Sequence, residues 1–191
     1  MKNTIFKTFL LLGLISSFLS CKAQQYPLNT DYDEVPDYSY LKDLNNELDP
    51  YIGTYKTNYN GKEVILYITK VNDKLEKRPQ KVFYRDVLTI KYIVKNSSGT
   101  ILQDTQNVNV QNNSISSYRI RSYDNSVILY YEGTNCRVGW GNIYLKKINA
   151  TQISWLYQPN DRVILPGQCP GNPDLKIYLP ETENPLIFTK Q

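Results

Sequence analysis

The chain has no histidine in its 191 residues. That absence excludes a Ser-His-Asp or Cys-His catalytic group, a histidine zinc site and an imidazole general base. Cysteine is scarce as well: Cys21, Cys136 and Cys169 lie far apart, so no CxxC redox pair or thiolate metal cluster is present. No apolar run beyond the first twenty residues approaches the roughly 20 residues of a membrane-spanning helix. No glycine-rich loop opens a helix to cradle a phosphate. A net charge of +4 is too small to call for a nucleic-acid partner. Among carboxylates, Asp86, Glu132 and Asp161 show no spacing that marks a general acid/base pair. Arg85-Asp86 and Asp161-Arg162 read as turn or strand-end charges. The Asp/Glu cluster at 31–37 matches no calcium-loop pattern. The expectation is a protein with no catalytic residue, no metal site and no cofactor, one that binds or assembles and is not an enzyme.

What is present begins with a leader. Lys2 and Lys7 precede the apolar stretch Thr8–Leu19, which is followed by Ser20 and Cys21. The stretch is too short to span a bilayer and fits a cleaved secretory signal. Phe18-Leu19-Ser20-Cys21 resembles a bacterial lipobox, which implies cleavage before Cys21 and lipidation of its thiol. The alternative is ordinary cleavage after Ala23, giving a soluble secreted protein that starts at Gln24. The organisation expected is a signal peptide over 1–20, a flexible acidic tether over 21–38 and a single β domain over 39–191. The tether carries much of an acidic stretch: residues 31–49 hold Asp31, Asp33, Glu34, Asp37, Asp43, Glu47 and Asp49 against Lys42 alone. Lys22-Ala23-Gln24-Gln25 does not resemble the acidic surface-export tags found behind the lipidated cysteine of some bacterial lipoproteins, and that comparison implies that an anchored form faces the periplasm.

Seventeen tyrosines and an abundance of Asn, Ile, Val and Thr describe a β-rich chain. One short helix is expected over 39–48, where Leu41, Leu44 and Leu48 share a face and Asp49-Pro50 ends it. From Tyr51 on, the signals are strand and turn. Asn60-Gly61 marks a tight hairpin. Residues 72–80 are polar and read as a loop. Leu88, Ile90, Tyr92 and Val94 alternate with polar residues at period two, as do Ile153, Trp155 and Tyr157. Short strands are also expected at Arg162–Leu165 and Leu175–Leu179. About ten strands linked by hairpins predict an antiparallel up-and-down β-barrel of eight to ten strands, lipocalin-like in outline, with a β-sandwich as the alternative.

Cys136 and Cys169 lie in Gly/Pro-punctuated loops and, in an oxidising compartment, are read first as a disulfide, with two free thiols as the alternative. Beside that loop lie Arg137, Trp140 and Tyr144, the candidate ligand contacts. Gly139 and Gly141 flank Trp140 and leave backbone open around it. Tyr and Trp suit a glycan or an amphipathic lipid because they offer a flat apolar face with a polar tip. Trp155 and Tyr157 read instead as core, and Tyr130-Tyr131 as one outward and one inward ring.

Tyr51-Ile52-Gly53-Thr54-Tyr55 resembles the opening of the lipocalin/calycin strand, with Tyr55 where that family has Trp. The wider layout adds the Ser20-Cys21-Lys22-Ala23-Gln24 exit, Ile153-Ser154-Trp155-Leu156-Tyr157 and the Leu186-Ile187-Phe188-Thr189-Lys190 end. It resembles an uncharacterised family of small secreted or lipid-anchored proteins from Bacteroidetes, chiefly flavobacteria. The resemblance implies a cell-envelope location and a barrel-like fold, and it brings no activity. The expected function is binding of a small lipid or glycan in the barrel by a protein attached to the membrane through Cys21. The alternative is a non-catalytic subunit of an envelope complex with a protein partner.

Overall fold

The computed structural model describes residues 23–106 and 114–191. The proposed signal peptide and Cys21 lie outside the described residues. The protein is an all-β, antiparallel, closed eight-stranded barrel. Its wall strands are β3 (Gly53–Tyr59), β4 (Lys62–Arg78), β5 (Lys81–Lys95), β7 (Ile115–Ile120), β8 (Val127–Tyr131), β9 (Gly141–Lys147), β10 (Gln152–Pro159) and β11 (Leu186–Lys190). Each wall strand pairs with the next in chain order, and β11 returns to β3 through Thr189 opposite Lys56 and Lys190 opposite Tyr55. Three shorter strands, β1 (Gln25–Pro27), β2 (Tyr40–Lys42) and β6 (Ile101–Asp104), lie outside that circuit.

Local sequence accounts for most hairpins. Asn60 and Gly61 both adopt positive φ (48° and 69°), the conformation of a two-residue turn whose twist matches its flanking strands. Period-two burial follows: Val64, Leu66 and Ile68 on β4, Ile90, Tyr92 and Val94 on β5, Val127, Leu129 and Tyr131 on β8, and Ile153, Trp155 and Tyr157 on β10 all point inward. With Tyr55, Leu88, Ile143, Leu145 and Phe188 they form one continuous core. Trp155, read from the sequence as core, is 0% exposed and donates its indole N–H to the Pro180 carbonyl at 3.1 Å. Tyr131 packs edge-on against Tyr157 with centroids 5.8 Å apart, and its hydroxyl lies 3.4 Å from that of Tyr92. Burial raises the pKa of the Tyr92, Tyr131 and Tyr157 phenols, that of Tyr131 to about 12.

Strand β5 is longer than the wall requires, and its edge away from β4 is shared by three short partners. Residues 93–95 pair with β6, Thr89 and Ile90 with β7, and Tyr84 and Arg85 with β2 in parallel. An exposed strand edge invites pairing with another chain, and covering it removes that hazard. The stretch read as a polar loop at 72–80 instead continues β4, which pairs with β5 as far as Arg78 opposite Lys81. Its charged residues alternate without an apolar face because this part of the hairpin runs past the barrel core. A bulge lies between Val71 and Lys74, where Asn72 and Asp73 oppose Asp86 alone.

Other expectations are corrected here. No helix forms over 39–48. Tyr40–Lys42 joins the sheet as β2, and the Asp43 carboxylate accepts the Glu47 and Leu48 amides at 2.8 and 3.1 Å, closing a turn in place of a helix. Leu41 and Leu48 are buried, but Leu44 is exposed, so the three leucines do not share a face. Residues 24–38 are folded against the barrel and do not form a flexible tether. β1 pairs with β2, Leu28 and Val35 are buried, and Tyr32 stacks on Phe83 with centroids 5.2 Å apart. The acids of this stretch face solvent, Leu28 joins the main core, and Val35 with Tyr26 and Tyr32 forms a small second core with Leu41 and Phe83. Residues 162–165 and 175–179 form no strands, because Pro166, Pro170 and Pro173 with Gly167 and Gly171 break the ladder there.

Candidate functional site

The Cys136–Cys169 disulfide forms, with Cα atoms 5.8 Å apart. It ties the turn after β8 to the irregular segment 160–185. The same junction is reinforced by the Asn135 side-chain amide, which donates to the Asp174 carbonyl at 2.7 Å. Cys136 and Arg137 both adopt positive φ (56° and 60°), which L-residues seldom do, so the direction of Arg137 is set by an unusual backbone path. Arg137 is exposed. Its guanidinium donates to the Tyr130 hydroxyl at 2.9 Å and lies 3.8 Å from Glu132. The Tyr130 ring in turn lies 6.1 Å from that of Trp140. Arg137 and Trp140 are therefore brought together through Tyr130, whose outward orientation follows from its inward neighbour Tyr131.

Tyr144 stands on the same outer wall but belongs to a different cluster. The Arg121 guanidinium carbon lies 4.7 Å from its ring centroid and 4.8 Å from that of Tyr123. The glycines flanking Trp140 do not leave open backbone. Gly139 and Gly141 are buried, and a Cβ on Gly139 would sit 2.5 Å from Ile177 Cδ1. These glycines permit close packing and thereby hold Trp140 half-buried at the surface.

Arg137, Tyr130 and Glu132 form one wall of a cleft of about 600 Å³. The opposite wall is the outer face of the β4 extension, with Lys74, Glu76 and Arg78, and the floor is Ser114 with Ser116, Ser117 and Tyr118 of β7. The cleft lies outside the barrel because the β4–β5 hairpin leans away from β7, with only two ladder pairs joining β5 to β7. Side chains close the rest of that seam. The Ser117 hydroxyl accepts the Leu88 amide at 2.8 Å, Arg85 donates to the Tyr118 carbonyl at 2.6 Å, and Asn29 accepts the Ile120 amide at 3.0 Å. Lys74 donates to Ser116 at 3.1 Å and pairs with Glu76 at 2.9 Å.

Arg85 and Asp86 are not a pair, and neither sits at a strand end. Successive strand residues point to opposite faces. Asp86 shares the inward parity of Leu88 and is 2% exposed. It accepts the Tyr40 hydroxyl, the Asp43 amide at 2.9 Å and the Asp73 amide at 3.0 Å, the last released by the bulge. Lys70 bridges Asp43 at 2.8 Å and Asp49 at 2.6 Å. Burial pulls the Lys70 ammonium down, but these two carboxylates outweigh it and hold its pKa above the ordinary value. Every oxygen of Asp86 is thus engaged in closing one end of the barrel, which is a structural role. Among the described residues no cluster of carboxylates and cysteines is arranged to hold a metal ion.

Sequence reasoning missed Lys74, Arg78 and Arg85 as site residues. The first two lie in a stretch whose polarity reads as a loop, and Arg85 reads as a turn or strand-end charge. The combination of a long hairpin with alternating charge on its far half is the signal that could have found them.

The chain belongs to the DUF6705 family, a family of unknown function, which matches residues 1–191. No curated protein and no solved structure matches it.

Proposed function

We propose that this member of a family without an assigned activity is a non-catalytic binding protein of the bacterial cell envelope. It takes a small glycan or lipid-like ligand in the cleft outside its barrel wall. One observation carries the reading: the Arg137–Tyr130–Trp140 cluster stands beside a cleft of about 600 Å³, inside the roughly 300–1,000 Å³ range of small-molecule sites. An aromatic pair beside a guanidinium offers a stacking face and a directional donor, the two elements that hold a sugar ring or an amphipathic head group. The outer cleft is preferred to the barrel interior because Tyr55, Tyr92, Tyr131, Trp155, Tyr157 and Phe188 fill that interior.

The test is tryptophan fluorescence across a panel of glycans and lipids. Trp155 is sealed in the core, so a ligand-dependent change reports Trp140. Saturable quenching by one panel member, weakened by Arg137→Ala, is the expected result. A flat response across the panel removes the reading.

The envelope assignment rests on the leader and on the resemblance to small secreted or lipid-anchored proteins of Bacteroidetes, with a calycin-like Gly53-Thr54-Tyr55 opening. In this reading Cys21 carries the lipid and the barrel faces the periplasm. Two acyl chains anchor a protein stably, since each buried methylene contributes about 0.8 kcal/mol. Because residues 24–38 are folded, the barrel then sits close to the membrane, with no long spacer between. Mass spectrometry of the mature protein is expected to find an acylated N-terminal Cys21. An unmodified chain beginning at Gln24 would show a soluble secreted protein instead.

A second reading, an interaction subunit, is favoured by Val163 and Leu165. They are 81% and 57% exposed on the segment tied down by the disulfide. A stoichiometric protein partner recovered from membranes, with no small molecule bound, would favour it.

A further inference from the structure

We propose that the inner end of the outer cleft is an oxyanion site in which Arg85 receives the carboxylate, sulfate or phosphate of a charged glycan or lipid head group. The proposal deepens the binding reading above and rests on it.

Arg85 is 7% exposed, and its Nε has no hydrogen-bond partner. It forms no ion pair among the described residues. The guanidinium lies 5.2 Å from the Phe83 ring centroid and makes one hydrogen bond, to the Tyr118 carbonyl. Burial lowers its pKa to about 10, which leaves it charged at neutral pH. A buried charge is retained at a large desolvation cost unless it is paired. Bracing the β5–β7 seam does not account for it, because a neutral amide side chain could supply a donor to a carbonyl without that cost.

The acids nearby are already engaged. Glu76 pairs with Lys74 at 2.9 Å and lies 4.0 Å from Arg78, and Asp31 accepts the Asp33 amide at 3.0 Å. What borders Arg85 instead is a pocket of about 150 Å³ that also has Arg78 and Arg119 in its wall, with Asp31 the lone acid. That volume is below the range of whole-ligand sites and suits a single charged group. The pocket shares Tyr32, Arg78 and Tyr118 with the larger cleft, so a ligand body in the cleft can extend its anionic group to Arg85. Arginine's planar fork of donors matches carboxylate, sulfate and phosphate oxygens.

Sulfate and phosphate stabilise many proteins through exclusion from the surface, so a thermal shift alone does not decide the matter. Isothermal titration calorimetry on the full mature protein does. The probes are glucuronate for a charged glycan, glycerol 3-phosphate for a lipid head group, and glucose as the neutral control. One of the two anions is expected to bind saturably and at least about tenfold more tightly than glucose, and which one does so identifies the source. Arg85→Gln should abolish that preference. Should Arg85→Gln fail to fold, the double variant Arg78→Gln/Arg119→Gln alters only exposed side chains and should weaken the anion by roughly tenfold or more. Equal binding of glucose and glucuronate overturns the oxyanion site while leaving the cleft as a glycan site. Anion binding that both variants leave unchanged overturns it too, as does the absence of anion binding in a protein whose Trp140 still responds to a neutral glycan. Anion binding with no response at Trp140 would keep the site and remove the aromatic contact.

Discussion

Replacing Cys136 and Cys169 together by serine should lower the unfolding free energy by about 3–4 kcal/mol, the entropic gain expected from cross-linking a loop of this length. The bridge spans 33 residues of sequence. Between its ends lie β9 and β10, which are held by their own ladders, and then a segment that has none. Without the bridge, 160–185 is still held by Asn160 on the Trp140 carbonyl, Asn135 on Asp174, Tyr59 on Glu181, the Trp155 indole on Pro180 and the buried Leu179, and it is the largely exposed stretch 161–171 between these anchors that is released. Urea unfolding of the oxidised protein and the double serine variant measures the change. An unaltered midpoint would show that the bridge adds nothing to stability. Because Arg137 follows Cys136 directly, the same variant should also weaken any ligand that depends on the Arg137–Tyr130 pair.

Above about pH 10 the protein should lose stability steeply, because its core is built on neutral phenols. Burial raises the pKa values of Tyr92, Tyr131 and Tyr157, and also that of Tyr51. A folded chain thus keeps protons that the unfolded chain releases once the pH passes the ordinary tyrosine value. Stability from these groups is complete below that value and is lost as the pH climbs through the raised ones. Each phenol contributes a slope of about 1.4 kcal/mol per pH unit where only the unfolded form is ionised. Lys70, held above its ordinary pKa by Asp43 and Asp49, adds a loss in the same direction. Absorbance at the tyrosinate band should therefore rise in two waves. The second wave belongs to the buried Tyr51, Tyr92, Tyr131 and Tyr157 and comes together with loss of near-ultraviolet circular dichroism. A single wave for all 17 tyrosines with the dichroism intact would contradict a phenol-filled core.

These two effects trace to features of unequal visibility in the sequence. The cysteine pair and the inward positions of β5 and β10 were legible because period-two alternation and paired cysteines are local signals. The hairpin at Asn60-Gly61 was legible for the same reason: a turn type depends on its own two residues. The β4 extension was not, since Lys74, Glu76 and Arg78 alternate charge on both sides of a strand that has no apolar face of its own. The leucines of 39–48 imitated a helix, while pairing with β5 and the Asp43 turn decided otherwise. Residues 24–38 look too polar to order themselves, and alone they would be. They fold because β5 offers a free edge and Phe83 a partner for Tyr32.

The same division holds for the candidate site. Arg137 and Trp140 were visible as unusual residues beside a cysteine, and their connection through Tyr130 depended only on the parity of one strand. Arg85 was invisible, because its burial and its lack of an ion pair among the described residues are set by segments distant in sequence.

The sequence by itself determined the class of fold, the meander, the core-facing side of several strands and the absence of imidazole chemistry, all properties of neighbours along the chain. Only the tertiary structure decided that the barrel closes with a filled interior and that the hairpin leans away to open a cleft. It also decided that adjacent Arg85 and Asp86 serve opposite faces of the wall. Those outcomes depend on free edges, bulges and counter-charges contributed by segments distant in sequence.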